Sequence, residues 1–188
     1  MTKLIYVSLI IFLGTTNGRA QVRLTTGLDT NALSENFKRA ISKKQYEYAA
    51  IISKDTTKIK KYSLAFILDK IDKSKSYNYI YIAEYWSSVN YSVMIPKLIE
   101  RLTNKREVGL NNSGDLIIWE RIDAKQMRFY GHGSVSEDDL FTVAGRANNI
   151  LTIMSGERIG RVSMYSTAME LKALQLKWQN WLDSLYRQ

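Results

Sequence analysis

The sequence contains no cysteine, one histidine and one proline, and each shortage closes off a class of chemistry. Without cysteine there is no disulfide, no thiolate nucleophile, no Cys-ligated zinc and no lipidated N-terminal cysteine. With His132 alone, a metal site built on two or three histidines of one chain is excluded. No D-x-[DN]-x-[DN]-G calcium loop is present either. A single proline, Pro96, argues against a Pro-rich linker protein and against a long β-sandwich. No cofactor is expected.

The residues that are present describe a globular chain. Apolar side chains make up 45% and charged ones 24% of 188 residues, near the averages for a folded domain, and the length suits one core. Residues 1–20 look different from the rest. Lys3, an apolar run from Leu4 to Leu13, and small residues at Gly18 and Ala20 have the three parts of a secretory signal. The run is shorter than the roughly 20 residues a membrane span needs. Cleavage before Gln21 is expected, with a bacterial, periplasmic or extracellular mature chain of 21–188.

Removal of Lys3 and Arg19 lowers the formal charge from +9 to +7. Eleven Lys/Arg fall within residues 38–75, against Glu47, Asp55, Asp69 and Asp72, so the excess sits in the N-terminal part. Lys54, Lys58, Lys60, Lys61, Lys73 and Lys75 are candidates for an anionic membrane or lipopolysaccharide surface. Eight tyrosines between Tyr46 and Tyr91 lie close to these lysines. Rings among cations can stack bases, but half-buried helix faces also use tyrosine, and an exported chain is not expected to meet nucleic acid.

Apolar spacing predicts an all-α domain, with a basic part at 21–76 and a second part at 77–188. Leu33, Phe37, Ala40 and Ile41 form one stripe after a cap at Asp29. A single run is expected near 58–72. Residues 77–86 fit helix and strand, and helix is favoured because no hairpin turn flanks them. Pro96 is placed in a first helical turn, and Asp115 is read as the cap of a helix over 116–122. Ser136 and Asp139 resemble a capping box, which puts Asp138 and Asp139 in the first turn of the next helix. Thr167 and Glu170 form a true capping box for the last helix, whose buried face runs from Leu171 to Leu185.

Three pieces resemble a HEAT-repeat or armadillo-like array: Val93-Met-Ile-Pro-Lys-Leu-Ile-Glu-Arg-Leu102, the small-residue run Val143 to Leu151, and the closing stretch Leu151 to Gly160 with Trp178 and Trp181 beyond it. The resemblance covers about residues 90–188. It implies stacked helices that bind a partner on a concave face, interrupted here by polar loops at 104–114 and 124–135. An irregular bundle is the alternative.

No motif commits the chain to catalysis. His132 between Gly131 and Gly133 reads as a loop histidine, although with Asp138, Asp139 and Ser134 a hydrolase can be drawn on paper without a nucleophile elbow. Arg146 on an apolar helix suggests a carboxylate partner or an acidic ligand. The expectation is a non-enzymatic scaffold with a protein partner held by Trp119, Tyr130, His132, Asp139 and Arg146. Membrane attachment and an unrecognised hydrolase are the alternatives.

Overall fold

The computed structural model describes residues 27–52, 56–111 and 113–186. The segment expected to be a leader, the expected cut before Gln21 and Lys54 lie outside the described residues. Eight α-helices and one two-stranded sheet occur among them, so the all-α expectation holds. No described helix is long and apolar enough to cross a membrane.

Asp29 caps only a short 3-10 turn, Thr30–Ala32, by accepting from the Asn31 N–H. The first helix, α1 (Glu35–Ile52), follows and takes in the Tyr46–Ile52 stretch. Leu33, Phe37 and Ile41 are buried, whereas Ala40 faces solvent. The run expected over 58–72 is two helices, α2 (Thr56–Lys60) and α3 (Leu64–Lys73). Ser63 divides them, because its hydroxyl accepts from the Phe66 N–H and starts a new helix.

Residues 77–86 form most of α4 (Asn78–Val89), and α5 (Tyr91–Arg101) follows after Asn90. Pro96 is not in a first turn but inside α5. It has no N–H for the Ser92 carbonyl, four residues back, and the Leu28 N–H takes that carbonyl at 2.9 Å. The lost helical bond is replaced from outside the helix.

Asp115 caps nothing. Leu116, Ile117 and Ile118 are buried in succession, a pattern that suits an extended, enclosed strand better than an amphipathic helix. Strand β1 (Leu116–Ile117) pairs in parallel with β2 (Ser134–Val135), Leu116 opposite Ser134. Between them lies α6 (Trp119–Asp123).

Ser136 and Asp139 do not start a helix. The chain curls there, and α7 (Val143–Ser155) begins three residues later than Leu140, capped by Thr142. Thr142 Oγ1 accepts from the Gly145 N–H at 3.1 Å and donates to the Asp139 carbonyl at 3.0 Å. Gly145 allows this approach, since a Cβ at that position would overlap the Asp139 carbonyl. The last helix, α8 (Ala168–Ser184), has the expected Thr167–Glu170 capping box.

Helix α7 is central: α1, α3, α4 and α5 all pack on it, and α8 packs on α5. No repeated helix pair is evident among the described residues. The main core joins Ile41, Ile67, Trp86, Leu98, Leu151 and Trp178. A second, smaller cluster of Tyr77, Ile80, Leu116, Ile118 and Leu140 lies beneath the irregular segment that links α5 to α7.

Candidate functional site

The segment between Leu102 and Thr142 has little regular structure, yet buried polar contacts tie it down. Arg121 of α6 is 2% exposed. Its Nε and Nη2 donate to the two carboxylate oxygens of Asp139 at 2.8 and 2.6 Å. Its Nη1 reaches Glu107 at 2.6 Å and also donates to Gln126, and the Phe141 ring lies 4.8 Å from the guanidinium carbon. Burial opposes the arginine's charge, but the bonds to Asp139 and Glu107 outweigh it and hold its pKa above the usual value. One side chain thereby fixes α6 against three parts of the chain.

Arg146 serves the same segment from α7, also almost wholly buried. Nε donates to the Leu140 carbonyl, Nη1 to those of Ile71 and Ser74, and Nη2 to that of Gly109, all within 2.8–2.9 Å. The expected carboxylate partner is replaced by four backbone carbonyls, two of them at the end of α3, where a positive charge complements the helix dipole. Burial, and next the nearby Arg106, push its pKa down to about 10, which leaves it charged at neutral pH.

Neighbouring asparagines of α7 hold two buried acids. Asn148 Nδ2 donates to both Asp138 oxygens and to the Gly160 carbonyl, while its Oδ1 accepts from the Trp178 indole at 2.8 Å. The Val162 N–H completes the Asp138 shell at 2.7 Å. Asn149 Nδ2 donates to Glu84 at 2.9 Å. Burial raises Glu84 to about 8; it also raises Asp138 to about 7, against the bonds from Val162 and Asn148, which favour the charged form.

The same segment presents rings to solvent. Trp119 is 49% exposed, Phe129 45% and Tyr130 54%. The Trp119 and Phe129 centroids are 5.3 Å apart, and the Arg128 guanidinium lies 5.2 Å from the Tyr130 ring. A groove of about 540 Å³ opens beside Glu120, the residue after Trp119. Its other lining includes Arg161, Tyr165, Glu170 and Lys177. Glu120 is already used there, accepting from the Ser163 hydroxyl at 2.6 Å and from the Met164 N–H at 3.0 Å.

The five residues expected to contact a partner therefore divide. Trp119, Tyr130 and His132 are exposed, while Asp139 and Arg146 are buried and fully engaged within the chain. His132 Nδ1 is 3.4 Å from Asp115, in a turn where Gly131 and Gly133 both take positive φ. The groups a hydrolase would combine thus have separate partners: His132 with Asp115, Asp138 with Asn148 and Val162, and Asp139 with Arg121. Sequence reasoning missed Phe129 and the Arg121 anchor. Arg121 carried a usable signal, an arginine on an apolar stretch Leu116–Ile122, but its partner lies 18 residues away. Of the basic candidates, Lys58, Lys60, Lys61, Lys73 and Lys75 are exposed.

No family model matches this chain, and neither a curated protein nor a solved structure matches it.

Proposed function

We propose that the protein is an exported, non-catalytic helical scaffold that holds another protein of the bacterial envelope, or outside the cell, against the Trp119–Phe129–Tyr130 face. The observation that carries this reading is that the segment with the exposed rings is fixed by the buried Arg121–Asp139 pair, with Trp119 and Arg121 on the same short helix. Binding surfaces concentrate their energy in a few aromatic and arginine side chains. A loop already fixed in place loses little conformational entropy when a partner arrives. The groove lined by Glu120, the residue after Trp119, offers such a partner a recess. The array likeness of residues 90–188 rests on α5 and α7, which pack against each other.

The test is retrieval of partners from the native envelope by the tagged protein and by a Trp119→Ala/Tyr130→Ala variant. The wild type is expected to retain a defined protein that the variant loses while keeping its helical circular dichroism. Identical retention by both forms, or none by either, removes the reading.

A further inference from the structure

We propose that the face made by α2, α3 and the start of α4 docks on a bilayer of anionic phospholipid. Six lysines lie between residues 56 and 75, Lys58, Lys60, Lys61, Lys70, Lys73 and Lys75, against two acids, Asp69 and Asp72. Both acids are already neutralised. Asp72 accepts a two-pronged bond from Arg101 at 2.8 and 2.9 Å, and Asp69 pairs with Lys73 at 2.7 Å. Among the described residues Lys58, Lys60, Lys61 and Lys75 make no ion pair, and all four are exposed. Among the described residues the surplus positive charge on this face is therefore uncompensated, and an anionic surface complements it.

The rings beside these lysines set the kind of surface. Tyr62 and Phe66 are stacked at 4.5 Å, and Phe66 meets Tyr79 edge-on at 6.2 Å. The Lys70 ammonium lies 5.0 Å from the Phe66 centroid and 5.2 Å from that of Tyr79. All three rings are half-buried. Their faces are thus occupied by one another and by Lys70, which disfavours the open stacking platforms that hold nucleobases. An amphipathic ring with its body packed inward and its rim outward suits the headgroup layer of a membrane. The free cations are lysines, mobile point charges without the planar fork that arginine uses to read one phosphate or carboxylate. Such a set recognises a spread of phosphates, and each lysine near the bilayer changes partitioning by about fivefold.

The test is co-sedimentation of the purified protein with vesicles. Phosphatidylcholine vesicles carrying about 30% phosphatidylglycerol are compared with pure phosphatidylcholine at about 50 and about 500 mM salt, a range across which screening collapses the reach of exposed charges. Binding is expected only to the anionic vesicles at low salt. Lys58→Glu/Lys60→Glu/Lys61→Glu should lower it by about a hundredfold or more, and the milder Lys→Gln triple by an intermediate factor. Lys172→Glu/Lys177→Glu on α8, which changes net charge away from this face, should leave most of the binding intact. Equal binding to neutral vesicles, an equal loss from the α8 variant, or a preference for duplex DNA at matched phosphate overturns the proposal. So does failure to bind anionic vesicles at low salt.

Discussion

The helical body and the segment between Leu102 and Thr142 are held by different forces. In the body, side chains three and four apart make continuous apolar faces, and α7 gathers α1, α3, α4 and α5 around Ala144, Ala147 and Leu151. In the segment no such face is available. A small apolar cluster lies underneath, and the backbone is fixed by Arg121, Arg146 and the buried Asp138 and Asp139. Apolar packing is tolerant of detail, whereas a buried ion pair is stable only with its full set of partners. The region that displays the exposed rings is thus the one with a strict geometry.

This contrast can be broken at its strictest point first. Asp139→Ala leaves the Arg121 guanidinium buried with only Glu107 and Gln126, and is expected to cost about 3–5 kcal/mol in urea unfolding. A loss under about 1 kcal/mol would mean that both regions rest on the same apolar means. In the body, Leu151→Ala opens a cavity in a fully packed core and is expected to cost about 2–5 kcal/mol. Adding a compensating change should separate the two cases. Replacing both Arg121 and Asp139 by apolar residues should recover much of the ionic loss.

The two asparagines of α7 give a pH test, since Asn148 holds an acid of the segment, Asp138, and Asn149 one of the body, Glu84. Both acids have folded-state values raised by burial, Glu84 to about 8 and Asp138 to about 7. The unfolded chain ionises them near 4.5 and 3.8. The folded state therefore binds more protons between those limits, and its stability is complete below the unfolded values and lost as pH rises. Urea midpoints are expected to fall from about pH 5 upward, with the Asp138 contribution exhausted by about 7 and that of Glu84 by about 8. Glu84→Gln should flatten the upper part of the slope. A midpoint that rises between pH 5 and 8 would contradict the buried, protonated state of these groups.

The smallest stability effect belongs to the display itself. Trp119→Ala is expected to move stability by less than about 0.5 kcal/mol, because the ring is half in solvent. A large loss would show that Trp119 belongs to the anchor and not to the surface.

The elements that local spacing governs were legible in the sequence. The faces of α7 and α8 and the Thr167 cap follow from residues within two turns of one another. The segment was not, because its rules are long-range. Arg146 meets carbonyls 72 and 75 residues away in sequence, and no spacing rule reaches that far. Ser136 and Asp139 imitate a helix start in sequence, but the burial of Asp139 against Arg121 decides the local conformation, and Thr142 takes the cap instead. Of the five residues expected to contact a partner, Trp119, Tyr130 and His132 are exposed, while Asp139 and Arg146 carry charge in the interior.

Pro96 gives the chain a point of attachment that an ordinary residue would have closed. By withholding one proton from its own helix, it leaves a socket at Ser92 into which Leu28 plugs. The path of the polypeptide ahead of α1 is thereby moored to α5, some 60 residues further along, and the chain's only ring-closed residue acts as a fastening between distant stretches as well as an interruption within one.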